Sequence, residues 1–112
     1  MMPDLDRLAQ DLAVLYRDEE TTDKAYEAGK QWRQHIRRSM QAVGVDLIAN
    51  PAAPELHEHF AILTAAQHAV DDEMQGLEDR YTQHDQIRAA ISELAAMAGL
   101  TLADLDKEDG HA

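Results

Sequence analysis

Between Glu55 and Tyr81 the apolar residues fall at Leu56, Phe60, Leu63, Val70, Met74, Leu77 and Tyr81, in steps of four, three, seven, four, three and four. That is the heptad stripe of an α-helix, with one polar position at Gln67. So narrow a seam has to be buried against other helices, and the rest of the chain holds the candidates. Gly and Pro are few, at five and three residues, and aromatics make up only 4% of the chain. Such a composition favours helix over strand. A chain of 112 residues makes one domain, and in long helices its core is thin, so association is a natural way to enlarge it.

Pro3 and Asp4 read as a helix start, with Asp4 and Asp6 at the positive end of the dipole. Leu5, Leu8, Leu12 and Leu15 then share one face. The polar run Asp18–Asp23 interrupts this pattern, but no Gly or Pro breaks it, which favours one continuous first helix over a new cap at Thr21 or Thr22. A second stripe is read at Ala25, Ala28 or Gly29, Trp32, Ile36, Met40 and Val43, with Trp32 as a core anchor. Gly44 is expected at the helix end. The connector from Val45 to Ala53 contains Asn50-Pro51 and reads as a loop, its Val45, Leu47 and Ile48 tucked into the core.

Beyond Tyr81 the stripe continues at Ile87, Ile91, Leu94 and Ala98, but on a different face. The second arm must therefore break or bend near Thr82, or its late stripe must meet a different partner. Gly99 ends that helix, Thr101 caps a short turn through Leu105, and the tail 107–112 is expected to fray. The fold expected is all-α: a single domain over 1–112, a long-helix hairpin with arms at about 4–43 and 55–98. It forms a helical bundle completed by dimerisation. The seam of that bundle is expected at Leu56, Phe60, Leu63, Val70, Met74, Leu77, Tyr81, Ile87, Ile91 and Leu94.

Charge narrows the function. The net charge is -12, which opposes nonspecific binding to nucleic acid or anionic membranes. It is unevenly spread: -5 over 1–23, +4 over 24–43, -8 over 44–79 and -3 over 80–112. The basic stretch makes Lys30, Arg33, Arg37 and Arg38 a possible interaction surface. Against that stands an internal role, in which these residues complement the acidic helix beside them. Cysteine is absent, so disulfides and thiolate chemistry are excluded. The first residues show no secretory leader, and no run approaches the roughly 20 apolar residues of a membrane span, so a cytoplasmic location is expected.

No motif carries catalysis. His57 and His59 point apart on a helix, and His57 and His68 lie too far apart along it for one ion. His68 and Asp72 could supply two ligands, but neither Glu-x-x-His nor His-Glu-x-x-His occurs. Ser39 and Ser92 sit within helical patterns, and there is no Gly-rich phosphate loop. Neither metal nor cofactor is expected, and the chain is not expected to be an enzyme.

The stretch from Ile91 to Leu105 places Ala95 four residues before Gly99, with Leu94, Ala98, Leu100 and Leu105 at apolar positions. It resembles the helix-turn-helix signature of bacterial regulators, which implies DNA reading by its second helix. That helix, however, carries four acids and one Lys between Leu102 and Asp109, the wrong sign for a major groove. The turn is therefore read as packing. The function expected is an acidic helical protein-protein interaction protein: an adaptor, assembly factor or chaperone-like subunit, acting as a homodimer. The alternatives are an acidic inhibitor that mimics nucleic acid in a basic protein groove, or a small transcriptional regulator.

Overall fold

The computed structural model describes residues 4–108. Pro3 and residues 109–112 of the expected frayed tail lie outside them, while residues 107 and 108 continue the last helix. The fold is all-α, a helical hairpin followed by a short helix: α1 spans Leu5–Ala49, α2 Pro54–Met97 and α3 Leu102–Glu108. The chain forms two compact units, one of Met1–Asp23 with Glu78–Ala112 and the other of Lys24–Leu77.

Asp4 caps α1, its Oδ1 accepting the Arg7 N–H at 3.2 Å. This satisfies one of the free donors of the first turn. As expected, α1 passes through Thr21 and Thr22 without a break. Both hydroxyls turn back onto their own helix, donating to the carbonyls of Arg17 and Asp18 at 3.0 and 2.7 Å. Thr22 can thus be fully buried without an orphaned donor.

The helix also passes through Gly44, against expectation, and ends at Ala49. Gly44 lacks the positive φ of a helix-ending glycine. A mid-helix Gly costs only about 1 kcal/mol, and Leu47, one turn on, is still half-buried. Pro51 stops the helix by disfavouring the helical conformation at Asn50. The connector is therefore only residues 50–53. Val45 and Ile48, expected in the core, are exposed helical positions. Ala53 is buried, and His57 Nε2–H donates to the Pro51 carbonyl at 2.7 Å, closing the turn.

Each long helix keeps one inner seam. On α1 it steps by threes and fours through Leu5, Leu8, Leu12, Leu15, Glu19, Thr22, Tyr26, Gly29, Arg33, Ile36, Met40, Val43 and Leu47. On α2 it runs through Leu56, Phe60, Leu63, Gln67, Val70, Met74, Leu77, Tyr81, His84, Arg88, Ile91, Ala95 and Ala98. Every one of these residues is buried or half-buried. The α2 seam does not break at Thr82, where the helix is continuous. It goes on through two polar residues, His84 and Arg88, to Ile91.

Two expectations about the seam fail, for one reason. Ile87 and Leu94 are 46% and 41% exposed, and Trp32 is 61% exposed. None is a core residue. Each stands one position before a seam residue, which turns it about 100° around the helix. Ala25 and Ala28, also exposed, are displaced in the same way. Where Trp32 was expected inside, Gly29 and Arg33 hold the seam.

In the 24–77 unit, Gly29 leaves the space that Met74 fills: a Cβ there would overlap Met74 Sδ, and Met74 is 2% exposed. Arg33 Nε lies 3.0 Å from Asp71 Oδ1, an ion pair across the hairpin. Its N–H is not aligned for a hydrogen bond, so the attraction is one of charge.

In the other unit, Leu8, Leu12 and Leu15 of α1 pack with Ile91 and Ala95 of α2 and Leu105 of α3. Gly99, with φ of 74°, ends α2. Leu100 N–H donates to the Ala95 carbonyl at 3.0 Å and Gly99 N–H to that of Ala96 at 2.9 Å, the paired bonds of a Schellman turn. Thr101 and Asp104 then cap α3 reciprocally. Thr101 Oγ1 accepts the Asp104 N–H at 3.3 Å, and Asp104 Oδ2 accepts the Thr101 N–H at 2.9 Å. The helix–turn–helix shape delivers Leu105, which is wholly buried, onto the core.

The three helical glycines should respond differently to alanine. A Cβ added at Gly44 or Gly76 would meet nothing within 4 Å, so Gly44→Ala and Gly76→Ala should each gain about 0.5–1 kcal/mol from backbone entropy. Gly29→Ala gains the same but must displace a confined Met74. Overpacking of about 1–3 kcal/mol leaves it destabilised by about 1 kcal/mol. Urea denaturation of the three variants measures the difference, and a stabilised Gly29→Ala would show that the approach to Met74 is loose.

Candidate interaction surfaces

Among the described residues, three or more His, Asp or Glu side chains nowhere converge as a metal ligand set. Two other features stand out among the described residues: an interhelical polar ladder, and apolar surface left outside the seams.

The ladder belongs to the unit of 1–23 and 78–112. The polar run that interrupts the leucines of α1 faces Tyr81, His84 and Arg88 of α2. Tyr81 Oη–H donates to Asp23 Oδ1 at 2.5 Å. His84 Nε2–H donates to Asp18 Oδ2 at 2.6 Å. Arg88 Nη2 pairs with Glu19 Oε1, while its Nη1 reaches Asp85 at 3.2 Å on its own helix. His84 is 3% exposed, and its Nδ1 has no hydrogen-bond partner among the described residues. The His84 hydrogen bond holds the Asp18 carboxyl below its ordinary value, helped by Arg80 and opposed by desolvation. Sequence reading missed this ladder, treating Asp18–Asp23 as a solvated break. The signal was the spacing of Tyr81, His84 and Arg88, which extends the three–four step of Met74 and Leu77.

Beside the ladder lies an apolar groove of about 420 Å³. Ile87, Ala90 and Leu94 of α2 and Val14 of α1 line it. Val14 is 56% exposed. The α2 residues repeat at three- and four-residue steps, and Met97, 66% exposed, continues them. This is a second heptad row, outside the seam. Asp11 and Asp18 lie along its α1 side.

In the 24–77 unit the exposed Trp32 stands over the small residues Ala25, Ala28 and Gly29, at a cleft of about 300 Å³ closed by Val70, Met74 and Leu77. His35 meets its ring edge-on, with centroids 5.9 Å apart. The basic residues expected to form a surface here are divided. Arg33 is half-buried against Asp71, and Lys30 lies 2.7 Å from Glu27 on its own helix. Arg37 and Arg38 are exposed. Of the seam residues expected on α2, Met74 and Ile91 are buried and Leu56, Phe60, Leu63, Val70, Leu77 and Tyr81 half-buried. Ile87 and Leu94 belong to the groove.

The acidic charge follows the same division. The ladder unit holds fifteen Asp and Glu against five Lys and Arg, a net -10, whereas the 24–77 unit holds seven against five, a net -2. Compared with protein-family models, with curated proteins and with solved structures, the chain matches none of them. Among the described residues no helix is long and apolar enough to cross a membrane.

The ladder predicts an acid dependence. The Asp18 carboxyl is lowered in the folded state, so its stabilising effect is complete above its unfolded value of 3.8. It fades as pH falls through the lower, folded value. Wild type should exceed Asp18→Asn in urea midpoint at about pH 6, and the gap should close as pH is lowered below 3.8. A gap that persists in acid would show that the Asp18 charge is not what the contact uses.

Proposed function

We propose that this chain is a small acidic helical protein that works by binding other proteins, as an adaptor, assembly factor or chaperone-like subunit, and not by catalysis. The observation that carries this reading is the second heptad row on α2, Ile87, Ala90, Leu94 and Met97, left outside the intramolecular seam. Apolar residues in that rhythm match the geometry by which one helix receives another. An intracellular setting goes with the reading, since the chain has no cysteine to profit from an oxidising one.

Self-association belongs to the same reading. The surface that favours it is the Trp32 shelf, because the 24–77 unit carries a net charge of only -2 and two copies would meet there with little repulsion. An exposed Trp over small residues is also a good anchor for an interface. The nucleic-acid mimic is a second reading, favoured by the net -10 of the ladder unit. A regulator using its basic face is less favoured, because Arg33 is engaged with Asp71 and Lys30 with Glu27.

A photo-crosslinking residue at position 94, compared with one at the exposed Gln41, tests the reading in the native host. Discrete protein adducts should form at 94 and not at 41. Adducts at neither position, nor at position 32, would reject a binding role. Sedimentation tests self-association. The chain should run at twice its 12.5 kDa, and Trp32→Ala should return it to one copy with its helix content intact. A single-copy mass that holds as concentration rises would remove the dimer.

A further inference from the structure

The groove in the ladder unit restricts what can occupy it, an inference that rests on the protein-binding role proposed above. Its exposed apolar walls, Val14 with Ile87, Ala90 and Leu94, standing over the buried Leu8, Leu15 and Ile91, fit a ridge of apolar side chains in heptad steps, which is what an amphipathic helix presents. Its charged lining is acidic: of the described residues lining it, the carboxylates are Asp11, which Arg7 Nε approaches at 3.6 Å from outside the groove in an exposed and therefore weak pair, and Asp18, and neither Lys nor Arg is among them. Asp18 is held by His84 at 2.6 Å, so its negative end is fixed at the groove and not free to swing away.

Charge then decides between occupants of equal shape. A second copy entering by the same face would set a unit of net -10 against another of net -10. Their acidic edges would approach within the roughly 8–10 Å over which salt leaves charges unscreened. Like charges so opposed disfavour the contact, and opposite charges steer and orient it. We infer that the groove formed by Val14, Ile87, Ala90 and Leu94 is a docking site for an amphipathic helix of another protein, with apolar residues at heptad spacing and Lys or Arg along the flank that meets Asp11 and Asp18.

Three synthetic peptides of equal length test this against the full chain. One carries Leu in heptad steps flanked by Lys, one the same Leu positions flanked by Glu, and one the residues of the first scrambled out of heptad order. The Lys-flanked heptad should bind at least about tenfold more tightly than either other peptide, and less tightly as salt is raised. The double variant Ile87→Gln/Leu94→Gln should weaken it by about tenfold or more, whereas Trp32→Ala should leave it unchanged. Both altered side chains of the double variant are already exposed, and circular dichroism checks that it keeps its helices. Equal binding of the scrambled peptide, or of the double variant, would reduce the interaction to unspecific charge and overturn the site. Equal binding of the Glu-flanked peptide would overturn the charge rule. No binding of any peptide would also overturn the site. So would a dimer that the double variant abolishes, which would place a second copy in the groove. Crosslinking at position 94 in the host would still report separately on whether the chain binds proteins at all.

Discussion

Two long helices can stay in contact only if each keeps the same face turned inward along its length. A step of three and four residues does this, and it must do so whatever residue falls on the step. In this chain the step lands on Glu19, Thr22 and Arg33 in α1 and on Gln67, His84 and Arg88 in α2. Polar groups taken out of water destabilise the fold unless they find partners. Several find them: the Thr22 hydroxyl on its own helix, and Glu19 with Arg88 and Arg33 with Asp71 across the hairpin. The ladder also selects register. Sliding one helix by a seam position in the ladder unit would set Glu19 against Ile91 or Arg88 against Leu15, so these pairs specify an alignment that apolar residues alone would leave loose.

The parts of the seam legible in the sequence were those where step and hydrophobicity coincide: Leu5 to Leu15, Ile36 to Val43, and Leu56 to Tyr81. Elsewhere hydrophobicity misled. Ala25, Ala28 and Trp32 on α1, and Ile87 and Leu94 on α2, form apolar rows one residue out of step. Meanwhile Gly29, Arg33, His84 and Arg88 keep the step. A reading that follows apolar residues leaves the seam at those points and infers a rotation or a break. A reading that holds the step and lets the residue type vary finds His84 and Arg88 at once. The end of α1 was obscure for a different reason. Gly44 and Asn50-Pro51 are both plausible stops, and only the proline excludes the helical backbone at the residue before it.

The exposed apolar rows are therefore not failures of packing. A helix can bury one heptad row against its hairpin partner and carry a neighbouring row, about 100° away, with no loss to the first. Trp32 and Leu94 both occupy such rows, on surfaces of very different charge. Both rows stand on continuous helix, so neither depends on a loop being in place.

The two units also differ in how far along the chain their contacts reach. The 24–77 unit is contiguous and closes over the four residues of its turn. The other joins Leu8, Leu12 and Leu15 to Ile91, Ala95 and Leu105, with the whole of the first unit's sequence between them. Contacts between residues distant in sequence form more slowly, because a larger loop must be closed before they are rewarded. During synthesis the hairpin around Asn50 can assemble as soon as α2 has begun to emerge. The leucines near the start of α1 must wait, uncovered, until α3 has left the ribosome. Through that interval they are uncovered apolar surface, open to aggregation.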